Sequence, residues 1–174
     1  MKKTILIVSV FLALAAAGCR QQEQKQQVVY TPAVQPALVD IDQYQQAARN
    51  NPKSAQAWTK LGDVLMDAQR YSEAIEAYEK SLALNPKNVN VLVDQGTCYR
   101  GVGKYDIAVK QYRKALLIDP DFPNAHRNLG VVLSMDLHKT DEGIKEFKRY
   151  LELVPSGPEA DQIKQAMRGL SGQQ

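Results

Sequence analysis

The sequence predicts an all-α protein built as a stack of repeated helix pairs, and three observations carry that prediction. Trp58, Leu92 and His126 lie 34 residues apart, and so do Gly62, Gly96 and Gly130. Pro52, Pro86 and Pro120 keep the same interval, and Pro155 follows after 35. Within each interval two apolar runs recur at helical spacing, for example Trp58, Leu61, Val64 and Leu65, then Ala74, Ile75, Tyr78 and Leu82, parted at Gln69 and Arg70. A fixed period of this length outranks any local signal, because it describes identical units that bury a core only against one another.

The units span 55–88, 89–122 and 123–156, each a first and a second short helix. Each second helix is expected to stop before Asn85-Pro86, Asp119-Pro120 or Val154-Pro155, since proline disfavours the helical conformation of its predecessor. A glycine inside a helix costs about 1 kcal/mol relative to alanine, so Gly62, Gly96 and Gly130 need an offset. Close packing supplies it: glycine on the first helix and Ala74 or Ala108 on the second let the backbones approach, while Tyr78, Tyr112 and Phe147 fill the space alongside. The third unit carries Gly143 in place of that alanine and one extra residue, expected in the turn from Leu137 to Thr140, which makes that turn the least stable joint.

Caps are expected at both ends. Residues 37–54 keep Tyr44, Ala47 and Pro52 in register and read as a lone second helix. In 157–174, Ser156 or Gly157 starts a last helix with Pro158 in its first turn, and Ile163, Ala166, Met167 and Leu170 form one apolar stripe.

The arrangement resembles the tetratricopeptide repeat. Trp58, Leu61, Gly62, Tyr71, Ala74, Tyr78 and Pro86 stand where that pattern places them, followed by Leu92, Gly96, Tyr99, Tyr105, Ala108, Tyr112, Ala115 and Pro120. The third unit keeps His126, Leu129, Gly130, Phe147, Tyr150 and Pro155. The resemblance implies a right-handed superhelical solenoid of about three such units with N- and C-terminal capping helices.

Residues 1–18 are expected to direct export. Lys2 and Lys3 precede a 13-residue apolar run from Ile5 to Ala17, too short for the roughly 20 residues that span a bilayer. The run ends Leu14-Ala15-Ala16-Ala17-Gly18-Cys19, which resembles a bacterial lipoprotein signal and implies lipidation of Cys19. Arg20 after that cysteine resembles lipoproteins sorted onward to an outer membrane. Residues 19–36 read as the lipidated cysteine and a flexible, glutamine-rich tether, too polar and too proline-broken for a packed core. Cys98, the only other cysteine, falls two residues after Gly96 and reads as a small buried hydrophobe.

Charge and chemistry narrow the function. Without Lys2 and Lys3 the basic residues number 20 against 19 acidic, with no run of five like charges, so a nucleic-acid partner is not expected. Only His126 and His138 offer imidazoles; His126 has no second ligand four residues away, and His138, in the lengthened turn, does not share a helix face with Glu142. His126 takes the packed-ring position of Trp58. No phosphate loop or nucleophile motif occurs, so no enzyme activity, cofactor, metal or small-molecule substrate is expected.

Recognition remains. In such an array the first helices line the inner face. The candidate groove is therefore Gln56, Thr59, Asp63 and Asp67, then Asn90, Val93, Asp94, Thr97 and Arg100, then Asn124, Arg127, Asn128 and Val131. Amides there suit an extended peptide backbone, Arg100 with Arg127 suits an acidic group, and Asp63, Asp67 and Asp94 form an acidic end. Relatives that clamp the C-terminal carboxylate of chaperones use Lys and Asn on the first helix, Asn on the next, and Lys and Arg on the third. The corresponding residues here are Thr59, Asp63, Asp94, Asn124 and Asn128, so that clamp is missing. The expected role is a membrane-tethered scaffold for protein or peptide partners in the bacterial envelope, as in secretin, pilus or outer-membrane assembly. The alternatives are presentation of apocytochrome for cytochrome c maturation, and self-association.

Overall fold

The computed structural model describes residues 40–171, so the expected export signal, Cys19 and the tether lie outside the described residues. Among the described residues there are eight α-helices and no strand: α1 (Ile41–Asn50), α2 (Ala55–Asp67), α3 (Tyr71–Leu84), α4 (Val89–Gly101), α5 (Tyr105–Ile118), α6 (Pro123–Val131), α7 (Thr140–Leu153) and α8 (Pro158–Ser171). A π-helical segment, Val132–Asp136, prolongs α6. Helices pack in chain order, and α2 meets α4 as α4 meets α6, so the first helices share one face of a right-handed superhelical solenoid.

Local chemistry accounts for the boundaries. Ser54 Oγ accepts from Ala57 N at 3.2 Å and Asn88 Oδ1 from Val91 N at 3.3 Å, satisfying orphan N–H groups at the starts of α2 and α4. Asp40 caps α1 in the same way, so that helix begins at Ile41 rather than in the 37–40 stretch. α3, α5 and α7 each stop one residue before the pre-proline residue, as the steric rule requires. The tight turns inside the pairs each place one residue in the left-handed region: Gln69 (φ 58°), Gly103 (φ 75°) and His138 (φ 55°).

The helix glycines make room for rings rather than for backbone. A Cβ on Gly62 would lie 2.5 Å from Tyr78 Cδ1, on Gly96 2.6 Å from Tyr112 Cε1, and on Gly130 2.5 Å from Phe147 Cδ1. Each ring is buried and lies directly over its glycine. In the third pair backbone also limits the space, with Gly143 O 3.2 Å from a Cβ on Gly130.

The extra residue is not in the turn between Leu137 and Thr140. Arg70 N and Lys104 N bond the carbonyls of Leu65 and Tyr99, five residues back, at 2.8 Å, whereas Lys139 N bonds Leu133 O, six back, at 2.7 Å. Because Leu65, Tyr99 and Leu133 keep the interval of 34, the insertion falls after Leu133, inside the π segment, whose wider turn absorbs it. The turn at His138 is equivalent to the other two. The widened helix presses on α7: a Cβ on Gly143 would lie 2.7 Å from Ser134 Cβ and 2.8 Å from Gly130 O, which explains glycine where Ala74 and Ala108 stand.

The column of Trp58, Leu92 and His126 also does more than pack. Trp58 Nε1 donates to Pro52 O at 3.0 Å, and His126 Nε2 lies 2.9 Å from Pro120 O, so a ring nitrogen ties down the carbonyl of the preceding turn. Lys164 Nζ does the same for Pro155 O at 2.8 Å. His126 Nδ1 faces Glu146 Oε2 at 2.7 Å, so each ring nitrogen has a polar partner within hydrogen-bond distance.

Candidate interaction groove

α4, α6 and α8 stand in a row, and their side chains, with one each from α2 and α5, line a cavity of about 440 Å³. Val93, Asp94, Thr97 and Arg100 enter it from α4, and Asn124, Arg127, Asn128 and Val131 from α6. These eight groove residues are brought together as their register predicts.

The α2 end is used differently. The Thr59 hydroxyl is 2.7 Å from Ser81 Oγ, and Asp63 accepts from the Tyr78 hydroxyl at 3.1 Å and pairs with Lys60 at 3.8 Å. Asp67 and Asn90 are exposed and do not line the cavity. Gln56 faces a separate crevice of about 280 Å³ between α1 and α2. Hydrogen bonding within the first repeat thus occupies polar groups that spacing alone assigns to the groove.

Four lining residues fall outside the set that spacing assigns: Met66, Tyr112, Gln162 and Ile163. Gln162 and Ile163 stand 35 residues after Arg127 and Asn128, and Met66 stands 34 before Arg100, so the period carried to its ends marks all three. Tyr112 carries no such signal. Its ring lies over Gly96, which brings the hydroxyl out on the far side, 3.2 Å from Thr97 Oγ1.

Polar contacts then set the chemistry. Arg100 and Arg127 do not form a joint anion site, because Arg100 Nε and Nη2 donate to the two carboxylate oxygens of Asp136 at 2.5 and 3.3 Å. Asp136 closes the π segment, so the widened turn places this acid beside α4. Arg127 Nε donates to Asn128 Oδ1 at 3.3 Å, and Asn128 Nδ2 donates to Thr97 Oγ1 at 3.3 Å. Asp94 has no hydrogen bond or ion pair among the described residues. Burial, then the charges of Asp63 and Asp67, push its carboxyl up to about 6. Burial also pushes the Tyr112 hydroxyl and the Cys98 thiol up to about 12, Asp94 adding to the effect at Cys98. Cys98 is fully buried and unreactive as a thiolate, consistent with packing. No group of three or more potential metal ligands occurs among the described residues.

Comparison with known proteins agrees with this geometry. Family matches described as tetratricopeptide repeat or TPR repeat cover residues 41–89, 77–110 and 96–136, together an unbroken stretch of the array. No curated protein matches the chain. Among solved structures, one titled "Crystal structure of MamA" is similar at 19% identity with a TM-score of 0.66, covering 76% of this chain and 81% of that one. A second, of "MamA protein", has 27% identity and a TM-score of 0.61 over 65% of this chain and 61% of that one. The first TPR of Spaghetti (RPAP3), bound to an HSP90 peptide, has 24% identity and a TM-score of 0.63 over 68% and 90% of the two chains. Helix pairs, glycine and ring columns, and these matches lead to one conclusion: the chain belongs to the tetratricopeptide repeat family.

Proposed function

We propose that the protein is a membrane-anchored scaffold of the bacterial envelope that holds an extended segment of a protein partner in the groove of α4, α6 and α8. The observation that carries this reading is the cavity itself. Its side chains come from successive helix layers and combine amide, hydroxyl and guanidinium donors with the apolar floor of Val93, Val131 and Ile163, the mixture that an extended backbone with spaced side chains requires. Tetratricopeptide repeat proteins are generally interaction modules, and a structural neighbour is titled as bound to a peptide. The chain has Asp63, Asp94 and Asn128 at the positions where a carboxylate clamp needs cations and amides, so the partner differs in chemistry from an acidic C-terminus.

The location rests on the sequence from Lys2 to Arg20. In this reading acyl chains on Cys19 hold the protein at the periplasmic face of the outer membrane, at about 0.8 kcal/mol per buried methylene. No helix among the described residues is long and apolar enough to cross a membrane. Cys19→Ser is expected to abolish lipid labelling and release the protein from membranes; unchanged retention defeats the anchor. A photocrosslinker at Thr97 in the native envelope is expected to capture a protein of assembly machinery. Capture of a second copy alone would make the protein self-associating instead.

A further inference from the structure

We propose that the groove selects an extended segment carrying a basic side chain, seated at the Asp94 carboxylate, and that Asp136 sets this preference by cancelling Arg100. The inference rests on the groove reading above and names the chemistry of its occupant.

The charged groups that line the cavity are not equivalent. Arg100 spends two N–H groups on Asp136 from the neighbouring π segment, and the pair is charge-neutral before any ligand arrives. Asp94, six residues earlier on the same helix, receives no hydrogen bond or counter-ion, although it is half-buried and Asp63 and Asp67 lie close enough to repel it. A partly buried carboxylate in that state is stabilised by a cation and destabilised by an anion. The half-buried Val131 on α6, with Val93 beneath, offers apolar lining for the methylene stem of a lysine or arginine. Arg127 lies one helix further along with its Nε given to Asn128, and its remaining N–H groups, with the Asn124 amide, suit carbonyls of the ligand backbone. The extra residue of the third unit is thus tied to specificity: the helix turn that absorbs it ends at the acid that silences Arg100.

The test uses two dye-labelled octapeptides of alanine, serine and glutamine, alike except for one central residue, lysine or glutamate. Each is titrated by fluorescence anisotropy at low salt into the full chain held in detergent. The lysine peptide is expected to bind at least tenfold more tightly. Asp94→Asn is expected to remove the preference, Asp94→Glu to retain it, and Asp136→Asn to raise glutamate-peptide affinity at least tenfold. Equal binding of both peptides by the wild type, or a preference that survives Asp94→Asn, overturns the inference. A glutamate peptide favoured by the wild type and lost on Arg127→Ala overturns it as well. If both peptides bind equally and Val131→Trp abolishes both, the groove reading stands and only the charge assignment falls. If neither binds in any form of the protein, both readings fall together.

Discussion

Asp94 carries a measurable signature apart from any ligand. An unfolded aspartate titrates near pH 4, whereas this carboxyl, pushed up to about 6 mainly by burial, holds its proton longer in the folded protein. Between those values the folded state binds more protons than the unfolded one, so stability falls as pH rises through that window. Asp94→Asn removes the cost of the buried charge. The variant is expected to exceed wild-type stability by about 1–3 kcal/mol at pH 7, with the difference fading below pH 4 in urea melts. A variant less stable than wild type at pH 7 would reveal a favourable partner for the carboxylate. The same residue marks where the sequence was legible: periodicity placed Asp94 on the inner face with Asp63 and Asp67. It did not show which of the three would be both half-buried and unbonded, because that depends on Tyr78 and Lys60 reaching Asp63 and on Asp67 remaining exposed.

Among the elements, the widened end of α6 is the informative exception. Alanine normally improves a helix by about 1 kcal/mol over glycine, and Gly169, where an added methyl would meet nothing within 4 Å, is expected to show that gain. Gly143→Ala is expected to lose about 1–3 kcal/mol instead, since its methyl would meet Gly130 O at 2.8 Å and Ser134 N at 2.9 Å, backbone atoms that have nowhere to go. Deleting Met135, which returns the unit to 34 residues, should make Gly143→Ala neutral or stabilising. Thermal melts of the two single variants and the double variant measure that coupling. Helix boundaries were readable from prolines and caps because those signals are local. The position of the extra residue was not, since any site from Val131 to Thr140 preserves the flanking columns, and packing against α7 decides among them. Asp136 and its bond to Arg100 were hidden for the same reason.

For the whole molecule, the two ends are unlike. Among the described residues α1 is a second helix without a first, and its register residue Ala47 is exposed where Ser81 and Ala115 are buried. Among the described residues α8 is a first helix without a second: it buries Ala160 and Ile163 against Phe147 and Tyr150, and its positions equivalent to Trp58, Leu61, Gly62 and Leu65 are Asp161, Lys164, Gln165 and Arg168. That polar face closes the stack at this end. Ending the chain after Pro155 is expected to cost roughly 3 kcal/mol from Ile163 and the half-buried Met167 and Leu170, and to raise binding of a hydrophobic dye as Phe147 and Tyr150 are uncovered. An unchanged melting temperature would contradict the capping role.

A chain of look-alike units can in principle zip together one unit out of step, with each first helix finding the second helix of a neighbour. The mark against that error is the single unequal interval. Tyr78 and Tyr112 are interchangeable over Gly62 and Gly96, but the widened turn beside Ser134 accepts only a partner with Gly143 at its centre, and Ala74 or Ala108 would collide there. The residue that breaks the period therefore also numbers the units, so that the last pair can close on itself alone.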